Sequence, residues 1–248
     1  MTHPRGTDRT QGCGRPFAAA GKLTEDRGGD RFAAPLGSSG SGRLRFTNGA
    51  HGVVVRGDPS LQGLYSASFA HRMPAVAVCG GAVNIRYPGP SIDERLDGGS
   101  SGHDEVALNT SVPWEIEVRG GASRFLADLV AIRLGALAIG GGAGRVEVAL
   151  PVPVGTVIVV VHGGASNVAI GRPDGVPARL RVEGGATHLR FDDRLIGIAG
   201  KDLDLRSRDY DAASCRHDIA VTGGANNVRI DTERSARRSA NTTTTTTR

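Results

Sequence analysis

Seven short segments of this chain share one pattern, and that pattern limits what the chain can fold into. It runs apolar, any, apolar, any, Gly or Asn, Gly, Ala, any, any, apolar, then usually any and apolar again. The alanines that follow the glycines stand at 50, 82, 122, 143, 165, 186 and 225. Their separations are 32, 40, 21, 22, 21 and 39, so a period near 21 dominates. The gaps of 40 and 39 read as doubled units that lack their central glycines.

On each side of the glycines, apolar residues alternate with others, which is the period-two signature of a half-buried strand. The glycines break that alternation at a fixed place and so mark a bend. A small Ala after the bend fits a tight inner corner. The second strand ends in turn residues, as in Leu150-Pro151-Val152-Pro153-Val154-Gly155 and Arg172-Pro173-Asp174-Gly175-Val176-Pro177. One unit is therefore strand, corner, strand, turn. A lone unit cannot bury its apolar face, whereas stacked units bury it and pair their backbone edges.

The expected fold is all-β: a single β-solenoid or β-helix of stacked ~21-residue, two-strand rungs over residues 43–231. The 37 glycines and the 4% aromatic content suit a thin core with small rungs. Within the array, residues 87–113 read as a long surface loop and 190–217 as a rung with an insertion. No segment patterns as an amphipathic helix of normal length.

The flanks read differently. Residues 1–42 form an expected disordered lead, rich in Gly, Arg, Asp and Ser and ending in a Gly/Ser linker. Residues 232–248 form an expected disordered tail that finishes in Thr242 to Thr247. Of the net charge of +5, residues 1–45 carry +4 and 232–248 carry +3, which leaves −2 for 46–231. A phosphate-tracking groove needs basic residues clustered on the folded surface, so nucleic acid is not the expected partner of the repeats. Weak nucleic-acid binding by the basic tails stays open.

The three cysteines, Cys13, Cys79 and Cys215, have neither CxxC nor zinc-ligand spacing. An odd count leaves one thiol over and favours a reducing compartment, although a Cys79–Cys215 bridge stays open. No run is long and apolar enough to span a membrane, and Met1 to Arg31 holds no apolar signal core. A cytoplasmic location is expected, with envelope association as the alternative.

The segment Trp114-Glu115-Ile116-Glu117-Val118-Arg119-Gly120-Gly121-Ala122-Ser123, the recurrent Gly-Gly-Ala corners and the turn 172–177 resemble uncharacterised bacterial, notably actinobacterial, repeat proteins. Their repeats look like the toast-rack adhesin-type β-solenoid family, and the resemblance spans roughly residues 43–231. The family implies a non-enzymatic domain of stacked strands, in cell-envelope or stress-response settings. It carries no catalytic motif to transfer.

Gly141 to Glu147 superficially resembles a nonapeptide calcium repeat, but Val146 stands where that motif needs Asp, and the period is near 21. Asp192, Asp193, Asp202, Asp204, Asp209, Asp211 and Asp218 gather late in the chain. Paired carboxylates of this kind could serve a polysaccharide lyase or glycosidase on a β-helix. Asp202 and Asp204 alternate with Leu203 and Leu205, however, as a solvated strand face does. His162 sits just before a corner, at the position where other units carry Cys79, Arg119, Glu183 and Thr222, so it is expected to point outward. Trp114 shares the apolar register of Ile116 and Val118 and is expected in the core. No catalytic, cofactor or metal residue is assigned. The expected function is a non-enzymatic scaffold or adhesin-like binding protein that self-associates, with an unidentified protein or cell-surface polymer as partner. The alternative is a carbohydrate-active β-helix enzyme using the Asp192–Asp218 carboxylates.

Overall fold

The computed structural model describes residues 22–23, 30–38, 40–70, 73–88 and 102–232. Every regular element among them is a β-strand, as period-two patterning requires. In chain order the strands are β1 (Lys22–Leu23), β2 (Asp30–Ala34), β3 (Gly42–Thr47), β4 (Ala50–His51), β5 (Val53–Asp58), β6 (Tyr65–Phe69) and β7 (Ala75–Cys79). There follow β8 (Ala82–Arg86), β9 (Asp104–Asn109), β10 (Pro113–Val118), β11 (Ala122–Asp128), β12 (Arg133–Gly140), β13 (Ala143–Ala149) and β14 (Thr156–His162). The last seven are β15 (Ala165–Arg172), β16 (Ala178–Val182), β17 (Ala186–Phe191), β18 (Arg194–Ala199), β19 (Leu203–Arg206), β20 (Arg216–Val221) and β21 (Ala225–Thr232).

These strands make two sheets. One has nine strands in the order β19-β16-β20-β14-β12-β10-β3-β8-β7. The other has twelve, β1-β2-β6-β9-β5-β11-β13-β15-β21-β17-β18, with β4 beside β11. In six of the seven repeats the glycine corner carries the chain from the first sheet into the second. Successive corners lie in register, Ala122 beside Ala143, Ala143 beside Ala165 and Ala165 beside Ala225. Backbone hydrogen bonds join them, for example from the Ala143 amide to the Gly164 carbonyl at 2.9 Å. The corners need glycine because neighbouring backbone fills the space. A Cβ on Gly141 would lie 2.8 Å from the Gly121 nitrogen, and one on Gly223 would lie 2.4 Å from the Gly163 oxygen.

The alternating apolar residues of both sheets meet in a single core. Leu137 and Ile139 enter it from β12, and Val146 and Val148 from β13. Burying one such side chain stabilises the fold by about 1.5–3 kcal/mol relative to leaving it in water. Each rung therefore depends on its neighbours for its apolar gain.

The rungs do not stack in chain order. The β20/β21 rung lies between β14/β15 and β16/β17, so the C-terminal repeat is an interior rung. Both long gaps are also filled in an unexpected way. After β17 the chain reverses through residues 192–193 and returns as β18 and β19, antiparallel to β17 and β16. This is the doubled unit expected between Ala186 and Ala225, running backwards. At the other end β6 and β7 form a second reversed rung, antiparallel to β9 and β8. β8 and β9 together make a forward rung whose glycine corner is replaced by residues 87–103.

Two expectations need correction. The repeat around Gly80-Gly81 does not turn a corner. β7 and β8 pair antiparallel in one sheet, and the glycines, at φ +54° and +82°, form the two-residue turn of a hairpin. The lead expected to be disordered through residue 42 contains β2, which pairs with β6 and sets Phe32 edge-on to Phe69 at 5.5 Å between centroids. Residues 1–21 and 233–248, and 89–101 of the expected loop 87–113, lie outside the described residues, while 104–109 of that expected loop form strand β9.

Candidate interaction surfaces

The outward residues of the nine-stranded sheet fall into rows because the parallel ladder holds every rung in register. One row runs Arg43, Glu115, Ala136, Ile158, Asp218 and Arg179. The next runs Arg45, Glu117, Ala138, Val160, Ala220 and Arg181. Each row is charged at its ends and apolar at its centre. At one end Arg45 bonds Glu117 at 2.7 Å, Arg43 holds Glu115 and Arg119 holds Glu117. At the other, Arg179 holds Asp204 at 2.6 Å and Arg181 holds Asp218 at 3.2 Å. Between them β12, β14 and β20 present small and aliphatic side chains, with Ile158 half exposed. His162 points outward in line with Arg119 and Thr222, as its position before the corner predicts.

A second column lies behind the corners. Arg124, Arg145, Asn167, His188 and Asn227 all have φ between +49° and +54°. Each stands two residues after the corner alanine and drops out of the pairing together with its counterpart on the neighbouring strand, so the register is kept and each strand re-enters the core one residue later. Hydrogen bonds join the column and its neighbouring positions at three places. Asn227 donates to Asn167 at 2.6 Å, Thr187 donates to Asn226 at 2.9 Å, and Arg124 meets His51 at 2.7 Å. Sequence reasoning missed these left-handed residues, although the two unconstrained positions after each Ala were their signal.

The late carboxylates do not converge. Asp192 lies in the turn that joins β17 to β18 in the twelve-stranded sheet, whereas Asp204 and Asp218 lie in the nine-stranded one. β16 stands between the strands of Asp204 and Asp218 and places Arg179 and Arg181 there. The hydrogen bond from Arg179, with help from Arg206, holds the Asp204 carboxyl down at about 2. Asp211 pairs with Arg206 at 2.9 Å. Asp202 and Asp209 occupy positive-φ turn positions. A glycosidase needs one protonated and one ionised carboxyl facing each other across a substrate. These residues are instead arginine-bound strand-face groups and turn residues. Among the described residues, no three His, Cys, Asp or Glu side chains converge as a metal site.

One ionic cluster is buried, and no local sequence feature announces it. Arg172, at the end of β15, is only 3% exposed; its guanidinium donates to Asp192 at 2.6 Å and to the Val176 carbonyl. Asp231 on β21 is 2% exposed and meets Arg229 at 2.9 Å and Arg190 at 3.2 Å. Burial pushes both carboxyls up from their ordinary value and pulls the Arg172 guanidinium down. Beneath them lies His217, fully buried. Burial, and then the Arg172 charge, lower its ring to about 4. The cluster fastens the inserted β20/β21 rung on the side away from its glycine corner.

Trp114 is wholly buried and donates its indole N–H to the Asn109 carbonyl at 2.8 Å. Above it opens a cleft of about 320 Å³, lined by Arg43, Glu115 and the glycines 42, 80, 81 and 135. Cys79 and Cys215 are both exposed and not bridged. Cys79 ends β7 and Cys215 immediately precedes β20, and these strands stand six places apart in one sheet, roughly 29 Å at about 4.8 Å per strand. A disulfide needs its Cα atoms within about 7 Å.

No helix among the described residues is long and apolar enough to cross a membrane. No curated protein matches the sequence. Among solved structures, the fold is similar to that of a "putative cell adhesion protein" from Clostridium sporogenes, with a TM-score of 0.62 and 18% identity. The similarity covers 82% of this chain and 98% of that one. Residues 76–171 match the family described as the N-terminal domain of toast_rack, DUF2154. That stretch includes the Trp114 repeat and three of the stacked glycine corners. The stacked-strand fold and the family match agree, and residues 76–171 of the chain are similar to the toast-rack N-terminal domain.

Proposed function

We propose that the chain is a non-enzymatic β-solenoid scaffold with adhesin-like binding, which holds a cell-surface polymer or envelope protein on its nine-stranded face and associates with further copies of itself. The observation that carries this reading is the register of that face. Its outward side chains repeat across the strands at about 4.8 Å, with fixed ion pairs at both ends and a flat aliphatic centre. Such a wall suits a ligand that is itself extended and repetitive. The adhesion-related name of the structural relative and the toast-rack match support the same reading. The folded part carries no excess positive charge, which disfavours a nucleic acid as its ligand.

The test is retention of the purified full chain on immobilised cell-wall polysaccharide and on envelope fractions of the native host. Replacing Ile158 with Lys and Arg45 with Glu alters the face without entering the core. Retention that falls at least about tenfold, with an unchanged thermal melt, is the expected result. Equal retention of variant and parent, or no retention of the parent on any envelope fraction, overturns the reading. Cell fractionation tests the location, since an adhesin-like role requires the protein to copurify with the envelope.

A further inference from the structure

The rung at one end of the stack closes both sheets at once. β18 and β19 are the last strands of their sheets, and among the described residues nothing pairs with the outer edge of either. Their inward side chains, Ile196, Ala199, Leu203 and Leu205, pack on the core but stay only half buried. One rung further in, Leu189, Ala186, Val182 and Leu180 are all buried. Outward on β18, Leu195 is 79% exposed and Ile198 is 85% exposed. Neither strand carries the Pro or Lys that commonly protects an exposed edge. The core is therefore open at this end, framed by two unpaired edges whose charges are Arg194 on β18 and Asp204 and Arg206 on β19.

The two sheets also stop together here, each at a strand of the same reversed rung. At the opposite end they do not, because the twelve-stranded sheet runs on through β2 and β1 beyond the rung where the nine-stranded sheet ends. Among the described residues, only the β18/β19 end can be extended in both sheets at once by a single partner.

We propose that this rung is a homodimer interface, in which a second copy of the chain docks edge to edge about a two-fold axis perpendicular to the sheets. The proposal rests on the self-association in the scaffold reading and gives it a site and a geometry. A two-fold axis in that direction maps each sheet onto itself. It sets β18 antiparallel to the second β18 and β19 antiparallel to the second β19 in one operation. The β19 sequence Leu203-Asp204-Leu205-Arg206 is complementary to itself in that arrangement. With Leu205 on the axis, each Asp204, already held by Arg179 of its own chain, faces the other copy's Arg206, already held by Asp211, so the ion pairs extend across the axis, and the two Leu205 side chains meet in the joined core. The half-buried leucines and isoleucines are covered, and both open edges gain a ladder of hydrogen bonds.

Sedimentation velocity of the full chain over a concentration series tests this, with circular dichroism melts as a control for folding. The expected result is a dimer and nothing larger. The double variant Leu195→Lys/Ile198→Lys, at exposed positions, is expected to weaken the dimer by about tenfold or more without moving the melt. Asp204→Arg is expected to weaken it through facing arginines, and Asp204→Arg/Arg206→Asp to restore it. A parent protein that stays monomeric at every concentration overturns the proposal. So does a dimer that survives Leu195→Lys/Ile198→Lys, because it must use another surface. A monomer that dimerises only after residues 233–248 are removed assigns the edge to the chain's own tail and overturns it too. Polymer retention is measured on the same samples. A monomer that still binds polymer removes the dimer alone, and a dimer that binds none removes the adhesin reading alone.

Discussion

At the residue scale the fold rests on where a side chain can and cannot be placed. Gly141 and Gly144 lie in the same corner three residues apart and predict opposite outcomes. Gly141 has φ +92°, and a Cβ there would press on the Gly121 nitrogen at 2.8 Å. Gly141→Ala is expected to cost about 2 kcal/mol or more. Gly144 has ordinary φ and open space around its Cα, so Gly144→Ala is expected to be neutral or to add about 0.5 kcal/mol. Denaturant midpoints of the two variants check this, and equal effects would contradict the corner geometry. His217 gives a second test. Its folded value of about 4 lies below its ordinary 6.5, so between those values the unfolded chain takes a proton that the folded chain resists. Its contribution is full above about pH 6.5 and is lost as pH falls toward 4, by up to about 3 kcal/mol. Asp192 and Asp231, which face the same cluster and are raised, act in the opposite sense at lower pH. A pH series of urea melts should show a slope in the parent that His217→Gln removes. The glycine corners were legible in the sequence because the same three letters recur. His217 was not, since nothing in Arg216-His217-Asp218 says which residue of an alternating strand faces a charged cluster.

At the element scale the decisive device is the buried cluster that ties β15, β21 and the 192–193 turn together. Arg172→Leu leaves Asp192 and Asp231 in a buried place with less positive charge to compensate them, and is expected to cost about 3–5 kcal/mol. Arg172→Leu/Asp192→Asn should recover part of that loss, because one stranded charge is gone. A double variant no more stable than the single one would show that the arginine acts through packing. The stretch 172–177 read as Pro/Gly turn chemistry, and it is a turn. Its arginine is buried only because a rung from 40 or more residues further along slides in beside it, and local sequence cannot report that. The reversed rungs were hidden for the same reason. Residues 194–206 show strand periodicity, but periodicity is blind to strand direction. The hairpin at Gly80-Gly81 shows the converse, in that one local motif serves two geometries and the neighbouring strands choose between them.

At the scale of the whole molecule, the order of the rungs decides how the chain fails. In a solenoid stacked in chain order, removing the last repeat costs one interface and leaves the remainder intact. Here β20 and β21 are the partners of β14 and β16 on one sheet and of β15 and β17 on the other. A chain ending at Cys215 would leave four strand edges open in the middle of the stack, and would strand the β16–β19 cap without a neighbour. The expected outcome is loss of the single cooperative transition, with native-like hydrogen exchange surviving only from β3 to β15. In the intact protein, the amides of Ile219 to Val221 and Val228 to Ile230 should exchange among the slowest, as interior strands do, and those of β18 among the fastest. If the truncated chain melted in one transition close to the parent, or if β20 and β21 exchanged as early as β18, the C-terminal rung would be peripheral. A molecule closed by inserting its last rung also has to hold an open slot until β21 is made. The unpaired strand edges of that intermediate are the same kind of surface that the terminal rung presents in the finished fold.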